Sequence, residues 1–354
     1  MALAACGSQA APAGSKAAPA AGDWSQVLAA ANKEGSVVVV GSGNADATEG
    51  FSKRYPGIKV FYTPITGNQM PPKILAERSA GKHLTDVLLH GTEAAMTLED
   101  AGALADLDGY ISGPDVSPDK WLDGKLQFAD NTGKYILVYS AYVKLGPAVY
   151  AKEVDPKSIT SWHDLLDPKW KGKLIAGDAA AGGAAFGMAW YWYVTPGYGK
   201  PYLEQLYKQQ SPTLSRNNQQ AINSVAHGEH LIGVGIGDNS VANADTKGLG
   251  AKAIPWTQLK DPPYMTAGLG AVAVPEGPPH PNAARVYLDW LLSEEGQALV
   301  TGNANLPSLR QDVPTEGVFP PMLPKAGVKY FTDYSEDAIR QKAKDLADIK
   351  AAVS

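Results

Sequence analysis

Three apolar runs in this chain each empty into a short polar loop built around glycine. Val37-Val38-Val39-Val40 leads into Gly41-Ser42-Gly43-Asn44, Asp86-Val87-Leu88-Leu89 into His90-Gly91-Thr92, and Leu231 to Ile236 into Gly237-Asp238-Asn239. Runs without alternation suit strands buried on both faces, as in parallel sheets covered by helices. Helical patterns lie between them: Trp24 to Asn32 stops at Glu34-Gly35, and Pro72 to Ala80 follows the strand Ile58 to Tyr62. Lys173-Leu174-Ile175-Ala176 running into Gly177-Asp178 repeats the scheme in the second half, without strict sequence repetition. Alternating strand and helix argues for an α/β fold with largely parallel sheets.

At 354 residues the chain exceeds one ordinary core, so two lobes are expected. With 44% hydrophobic and 19% charged residues, a net charge of -5 and no apolar run of bilayer length, it reads as a globular domain outside the membrane. Lys and Arg are outnumbered and form no stripe, so nucleic acid is not an expected partner.

The one cysteine, Cys6, follows Leu3-Ala4-Ala5 and precedes a stretch to residue 22 of Gly, Ser, Gln, Ala, Pro and one Lys. That arrangement suits a lipidated N-terminal cysteine on a disordered tether. No charged start or apolar core precedes it, so Met1 reads as a truncated start. The expected location is extracytoplasmic, on a membrane through a lipid anchor only.

In open α/β sheets ligands bind beyond the carboxyl ends of the strands, which makes the loops the candidate site. Gly41-Ser42-Gly43-Asn44 and Ala180-Ala181-Gly182-Gly183-Ala184 both stand at helix starts, where free N–H groups and the helix dipole favour an anion. Neither is a nucleotide motif, since position 46 is Asp where a third glycine would stand and no Gly-Lys-Ser/Thr occurs. Arg216, in the polar turn Ser215-Arg216-Asn217-Asn218, could add a bidentate charge or simply flank a capped helix. Trp190, Trp192 and Trp256 could stack on a ligand or fill the core.

Enzyme chemistry finds few agents. His227-Gly228-Glu229-His230 spans a turn rather than one helical face, and no Gly-x-Ser-x-Gly occurs. Asp106, Asp108, Asp115, Asp119 and Asp123 lack the ordered spacing of a calcium loop. No catalysis and no cofactor are expected.

Ser161-Trp162-His163-Asp164-Leu165-Leu166-Asp167-Pro168-Lys169-Trp170-Lys171-Gly172-Lys173 resembles a stretch of bacterial extracellular solute-binding proteins, in the branch of ferric-ion, thiamine, polyamine and phosphosugar or phosphonate binders. Ala221 to Glu229, Gly270 to Pro275, His280 to Ala284 and Leu291 to Gln297 extend the resemblance over about residues 24 to 310. It implies a two-lobed, type II-like periplasmic-binding-protein fold, each lobe a mixed, mostly parallel sheet with flanking helices, joined by hinge strands. Residues 1–23 would be leader and tether, 24–138 with 266–300 lobe 1, and 139–265 with 301–354 lobe 2. The hinge would run through Tyr135 to Tyr139 with Ala141 to Val143, and through Thr266 to Val274.

The implied function is capture of a solute for an ABC transporter permease by a monomer that closes its lobes without chemical turnover. Carried over by position, the ligand loops are Ser42, Gly43 and Asn44; Gly67, Asn68 and Gln69; His90 and Thr92; Asp178, Ala181, Gly182 and Gly183; and Asp238 with Asn239, to which the residues themselves add Arg216. Ferric binders of this kind carry paired tyrosines where this chain has Gly237-Asp238-Asn239, so a small organic anion is the expected solute: a carboxylate, a phosphorylated sugar or a phosphonate. A ferric-ion carrier with an anion-assisted site and a surface enzyme or adhesin remain the alternatives. The stretch after residue 318 is expected to be helical, with Tyr334-Ser335-Glu336-Asp337 a helix start.

Overall fold

A computed structural model describes residues 23–42, 45–302 and 305–354. Cys6 and the expected tether, together with Gly43 and Asn44, lie outside the described residues. The strands are, in chain order, β1 (Ser36–Gly41), β2 (Lys59–Pro64), β3 (Val87–His90), β4 (Gln127–Phe128), β5 (Leu137–Val138), β6 (Tyr142–Val143) and β7 (Ala148–Tyr150). There follow β8 (Leu174–Gly177), β9 (Thr213–Ser215), β10 (Ile232–Val234), β11 (Ala251–Ala253), β12 (Tyr264–Thr266), β13 (Ala271–Ala273) and β14 (Phe331–Thr332).

They form three sheets. The first has order β2-β1-β3-β13-β5-β4, the second β11-β7-β10-β8-β9, and a small third sheet has order β14-β12-β6. β1, β2 and β3 are parallel, as are β8, β9 and β10, while β13, β5, β7 and β11 run antiparallel to their neighbours. The architecture is thus two-lobed α/β with mixed sheets. Val37, Val39 and Val40 are buried because β1 is flanked on both sides, whereas β2 is an edge strand that leaves Phe61 exposed.

Helices cover both sheets. α1 (Trp24–Glu34) precedes β1, and α2 (Ala45–Arg54), α3 (Met70–Ser79) and α4 (Thr92–Asp100) follow the first three strands; α5 (Gly183–Val194), α6 (Gly199–Glu204), α7 (Asn218–Ala226) and α8 (Asp238–Thr246) belong to the second lobe. α9 (Pro281–Leu291) and α10 (Glu294–Gly302) return to the first, and α11 (Glu336–Val353) closes the chain. Local signals set the ends: Asp23 accepts from the Ser25 N–H at α1, Gly35 takes the left-handed C-cap at φ 72°, and Ser335 caps α11 by accepting from the Ala338 N–H.

Two of the chain's passages between the lobes run side by side. The outward crossing runs from β5 through β6 to β7 and the return from β11 through β12 to β13, and β6 pairs antiparallel with β12 through Val143↔Met265 and Tyr142↔Thr266. The return crossing, where the hinge is expected over Thr266 to Val274, holds β12 and β13 separated by a turn in which the Gly270 N–H donates to Ala267 O (2.9 Å). A side chain at Gly270 would meet Ser140 O at 2.3 Å, so the close approach of the two crossings requires glycine there.

Each lobe has an aromatic centre. Phe51, Tyr287 and Trp290 pack together in the first, and Trp162 meets Trp192 and Trp256 edge-on at 5.0 and 5.6 Å in the second. Trp190, Trp192 and Trp256 are therefore core residues, with the Trp190 indole N–H donating to Asp345 (3.0 Å).

α9 also buries charge. Asp289 is fully enclosed, its Oδ1 accepting from the Asp115 N–H (2.8 Å) while its Oδ2 has no partner among the described residues. Burial pushes this carboxyl up to about 6. A raised carboxyl means the folded state binds more protons than the unfolded chain between about pH 4 and 6, so its contribution falls as pH rises through that window. Asp289→Asn, which keeps the acceptor, is expected to match the wild type near pH 4 and exceed it by on the order of 2 kcal/mol at pH 7. Urea unfolding at both pH values checks this, and an equal difference at the two would refute it.

Candidate functional site

Where β6 and β12 meet, a cavity of about 770 Å³ opens between the two main sheets. The pleat decides which crossing residues reach it, since successive side chains point to opposite faces. Tyr142 and Lys144 line the cavity while Val143 joins the second lobe's core; Tyr264 and Thr266 line it while Met265 joins the first lobe's core.

The first lobe supplies Gly67, Asn68, Pro71 and Pro72 after β2, and His90, Gly91, Thr92 and Glu93 where β3 passes into α4. The Gly91 N–H donates to His90 Nδ1 (2.7 Å), which leaves the proton of a neutral ring on Nε2. Burial lowers the imidazole's pKa and so favours that neutral form. Gly67 lies against this ring, where a Cβ would stand 2.6 Å from Cε1.

The second lobe supplies Gly183, Ala184, Phe186 and Gly187 from the first turns of α5. Gly182 and Gly183 take φ of 93° and 67°, a left-handed pair that side chains would strain and that turns the chain into the helix. α4 and α5 thus both present their N-terminal turns to one cavity, and the first amides of a helix have no carbonyl partner within it.

The charges on the walls are paired. Lys144 Nζ lies 2.6 Å from Asp238 Oδ2, both side chains buried, and Asp238 Oδ1 accepts from the Leu145 N–H (2.7 Å). Lys342, on α11, lies 2.5 Å from Glu93 Oε1 and 3.8 Å from Asp333 Oδ2, and the Tyr264 hydroxyl donates to that same Asp333 oxygen (2.7 Å). Burial raises Tyr142 and Tyr264 well above the usual phenol range, so both are protonated at neutral pH.

Of the expected positions, the cavity gathers Gly67, Asn68, His90, Thr92 and Gly183. Asp238 stands behind the wall as the partner of Lys144, and Asn239 is exposed on α8. Asp178 accepts from the Ala180 N–H (3.1 Å) and pairs at 2.8 Å with a largely exposed Arg216, whose hydrogen bond holds the Asp178 carboxyl below its usual range. Ala181 and Gly182 form the turn before α5, Gln69 the turn before α3, and Ser42 is exposed at the end of β1; none of them lines the cavity. His230 is satisfied by Ser224 (2.6 Å) and Thr213 (2.8 Å), and among the described residues no group of three or more His, Cys, Asp or Glu is placed to hold a metal.

Sequence reasoning missed Lys144, Glu93, Tyr142, Tyr264, Asp333 and Lys342. One signal was available: Lys144 is a lone cation in the apolar run Ala141 to Leu145. Removing one partner of a buried pair leaves the other charge uncompensated, so Lys144→Met is expected to cost roughly 3–5 kcal/mol. Lys144→Met with Asp238→Asn should recover most of that loss in urea unfolding; a single variant as stable as the wild type would show that the pair carries no structural weight.

Comparison with known proteins fits this architecture. The chain is similar to the Trichodesmium protein IdiA (FutA) in complex with iron and citrate, at 16% identity and TM-score 0.67 over 90% of this chain and 98% of that one. It is also similar to AfuA of Actinobacillus pleuropneumoniae with exogenous fructose-6-phosphate bound, at 21% identity and TM-score 0.63 over 89% and 98%. A 144-residue stretch is 28% identical to an uncharacterised protein of Haemophilus influenzae, spanning 39% of this chain and 38% of that protein. The sequence profile of the family described as bacterial extracellular solute-binding protein matches residues 46–327, and this chain belongs to that family.

Proposed function

We propose that this protein is the extracytoplasmic solute-binding component of an ABC importer and that it closes its lobes on a small organic anion, which it delivers to the permease unchanged. The observation that carries the ligand class is the meeting of two helix N-termini, α4 from one lobe and α5 from the other, at a cavity that also holds Lys144 and Lys342. Unpaired amides, helix dipoles and ammonium groups all favour negative charge, and their convergence from both lobes lets one anion bridge them. Hinged closure about β6 and β12 would then exclude water and strengthen each of these interactions. The protein would act as a monomer, held at the membrane through a lipid on Cys6.

One observation favours a ferric-ion reading: Tyr142, Tyr264 and Tyr334 contribute phenol groups to the walls. A trivalent ion is held by anionic oxygens, and burial keeps the Tyr142 and Tyr264 phenols protonated unless a bound cation displaces their protons. That Trichodesmium IdiA was seen with iron and citrate and AfuA with fructose-6-phosphate makes both solutes direct probes.

A thermal-shift screen should therefore include citrate, hexose phosphates, phosphonates and dicarboxylates, ferric ion with and without citrate, and polyamines and thiamine as cationic controls. A ligand at a hundred times its Kd adds about 2.7 kcal/mol to native stability, well within reach of such a screen. Stabilisation by an organic anion alone is the expected result. Stabilisation that requires iron, accompanied by a visible charge-transfer band, would replace the anion reading with the ferric one; stabilisation by cations alone would overturn both.

A further inference from the structure

Lys342 and Glu93 belong to opposite sides of the cavity. Glu93 lies in the first turn of α4, in the first lobe. Lys342 is carried by α11, whose C-terminal half is set into the second lobe: Ile349, Ala352 and Val353 join its core, the Trp190 indole donates to Asp345, and the Lys208 ammonium donates to Ala351 O (3.0 Å). The N-terminal turns of the same helix are tied to the first lobe, where the Glu336 N–H donates to Ala129 O (2.7 Å), Asn131 donates to Glu336 and Asp337 (2.9 Å each), and Arg340 pairs with Asp100 (2.6 Å). α11 thus spans the lobes beside the cavity and holds one ammonium group at its wall.

The two members of the pair are unequally held. Lys342 is 9% exposed and lies over the Trp190 ring at 5.8 Å, so it has little freedom to leave. Glu93 is 65% exposed, and an ion pair with one solvent-facing partner is readily exchanged. Its carboxylate also sits at the start of α4, where the helix dipole favours an anion. One internal carboxylate therefore occupies both attractions that the proposed solute would use.

We propose that Glu93 is a built-in competitor for the anion site and that Lys342 is the specificity-determining cation: an incoming anion displaces the Glu93 carboxylate and takes over its contact with the Lys342 ammonium. Lys144 differs in kind, because its partner Asp238 is buried and accepts a backbone N–H as well. This inference rests on the anion reading given above. It adds an exchange threshold: a solute must bring at least as much negative charge as the carboxylate it replaces, which favours phosphorylated or polycarboxylate solutes over neutral sugars.

The full chain, Glu93→Gln and Lys342→Gln can be titrated by calorimetry with citrate, fructose 6-phosphate and inorganic phosphate as probes. Glu93→Gln, on a solvent-facing side chain, should fold normally and bind whichever anion the wild type binds roughly 3- to 10-fold more tightly, and Lys342→Gln at least about tenfold more weakly. Thermal unfolding of both variants separates lost affinity from lost fold. Wild-type binding that Glu93→Gln leaves unchanged or weakens would overturn the exchange while leaving the anion reading intact. No binding of any probe by the wild type or by Glu93→Gln would overturn both.

Discussion

Two crossings of the chain between lobes share one short antiparallel pair, β6 with β12, and the cavity exists where they do because of it. Strands this short have no length to spare for a separate site. The pleat sends Val143 and Met265 into the cores and Tyr142, Lys144, Tyr264 and Thr266 to the cavity, so the residues that connect the lobes are also residues that would touch a solute. Gly270 allows the crossings to approach, because a Cβ there would strike the Ser140 carbonyl.

Electrostatics follow from that geometry. The crossing brings Lys144 into low-dielectric surroundings, which is tolerable because Asp238 at the start of α8 meets it with a short, doubly hydrogen-bonded contact. On the other wall Lys342 arrives on α11, a helix anchored to both lobes, and faces a carboxylate in the first turn of α4. The lining residues carry two ammonium groups against Glu93 and Asp333, so the attraction proposed for an anion would come from how loosely some of these partners are held, together with the amides of α4 and α5.

Much of the first lobe's contribution was legible in the sequence. A buried parallel strand must end in a loop at the sheet's carboxyl edge, which is why His90 and Thr92 could be named, while Gly67 and Asn68 came from the family resemblance and Gly183, in the second lobe, from its glycine-rich helix start; all five are found at the cavity. The same rule pointed to Asp178, Arg216 and Asn239, which stand outside it. A loop's chemistry does not reveal which way its side chains turn, and Arg216 has a nearer partner in Asp178. The aromatic run Trp190 to Tyr193 was ambiguous for a related reason: stacking surface and core filling demand the same residues, and packing around Trp162 and Trp256 took Trp192 inward.

The sequence by itself determined the class of fold, the family and the loops from which a site could be made, since these depend on local periodicity, turn chemistry and a long matching segment. Tertiary structure alone decided the site's charges. Lys144 and Asp238 are 94 positions apart and Glu93 and Lys342 are 249 apart. Contacts over such separations leave no periodic trace in the chain, because they are set by how sheets and crossing strands pack, and Lys342 reads along the sequence as one more cation on an amphipathic helix.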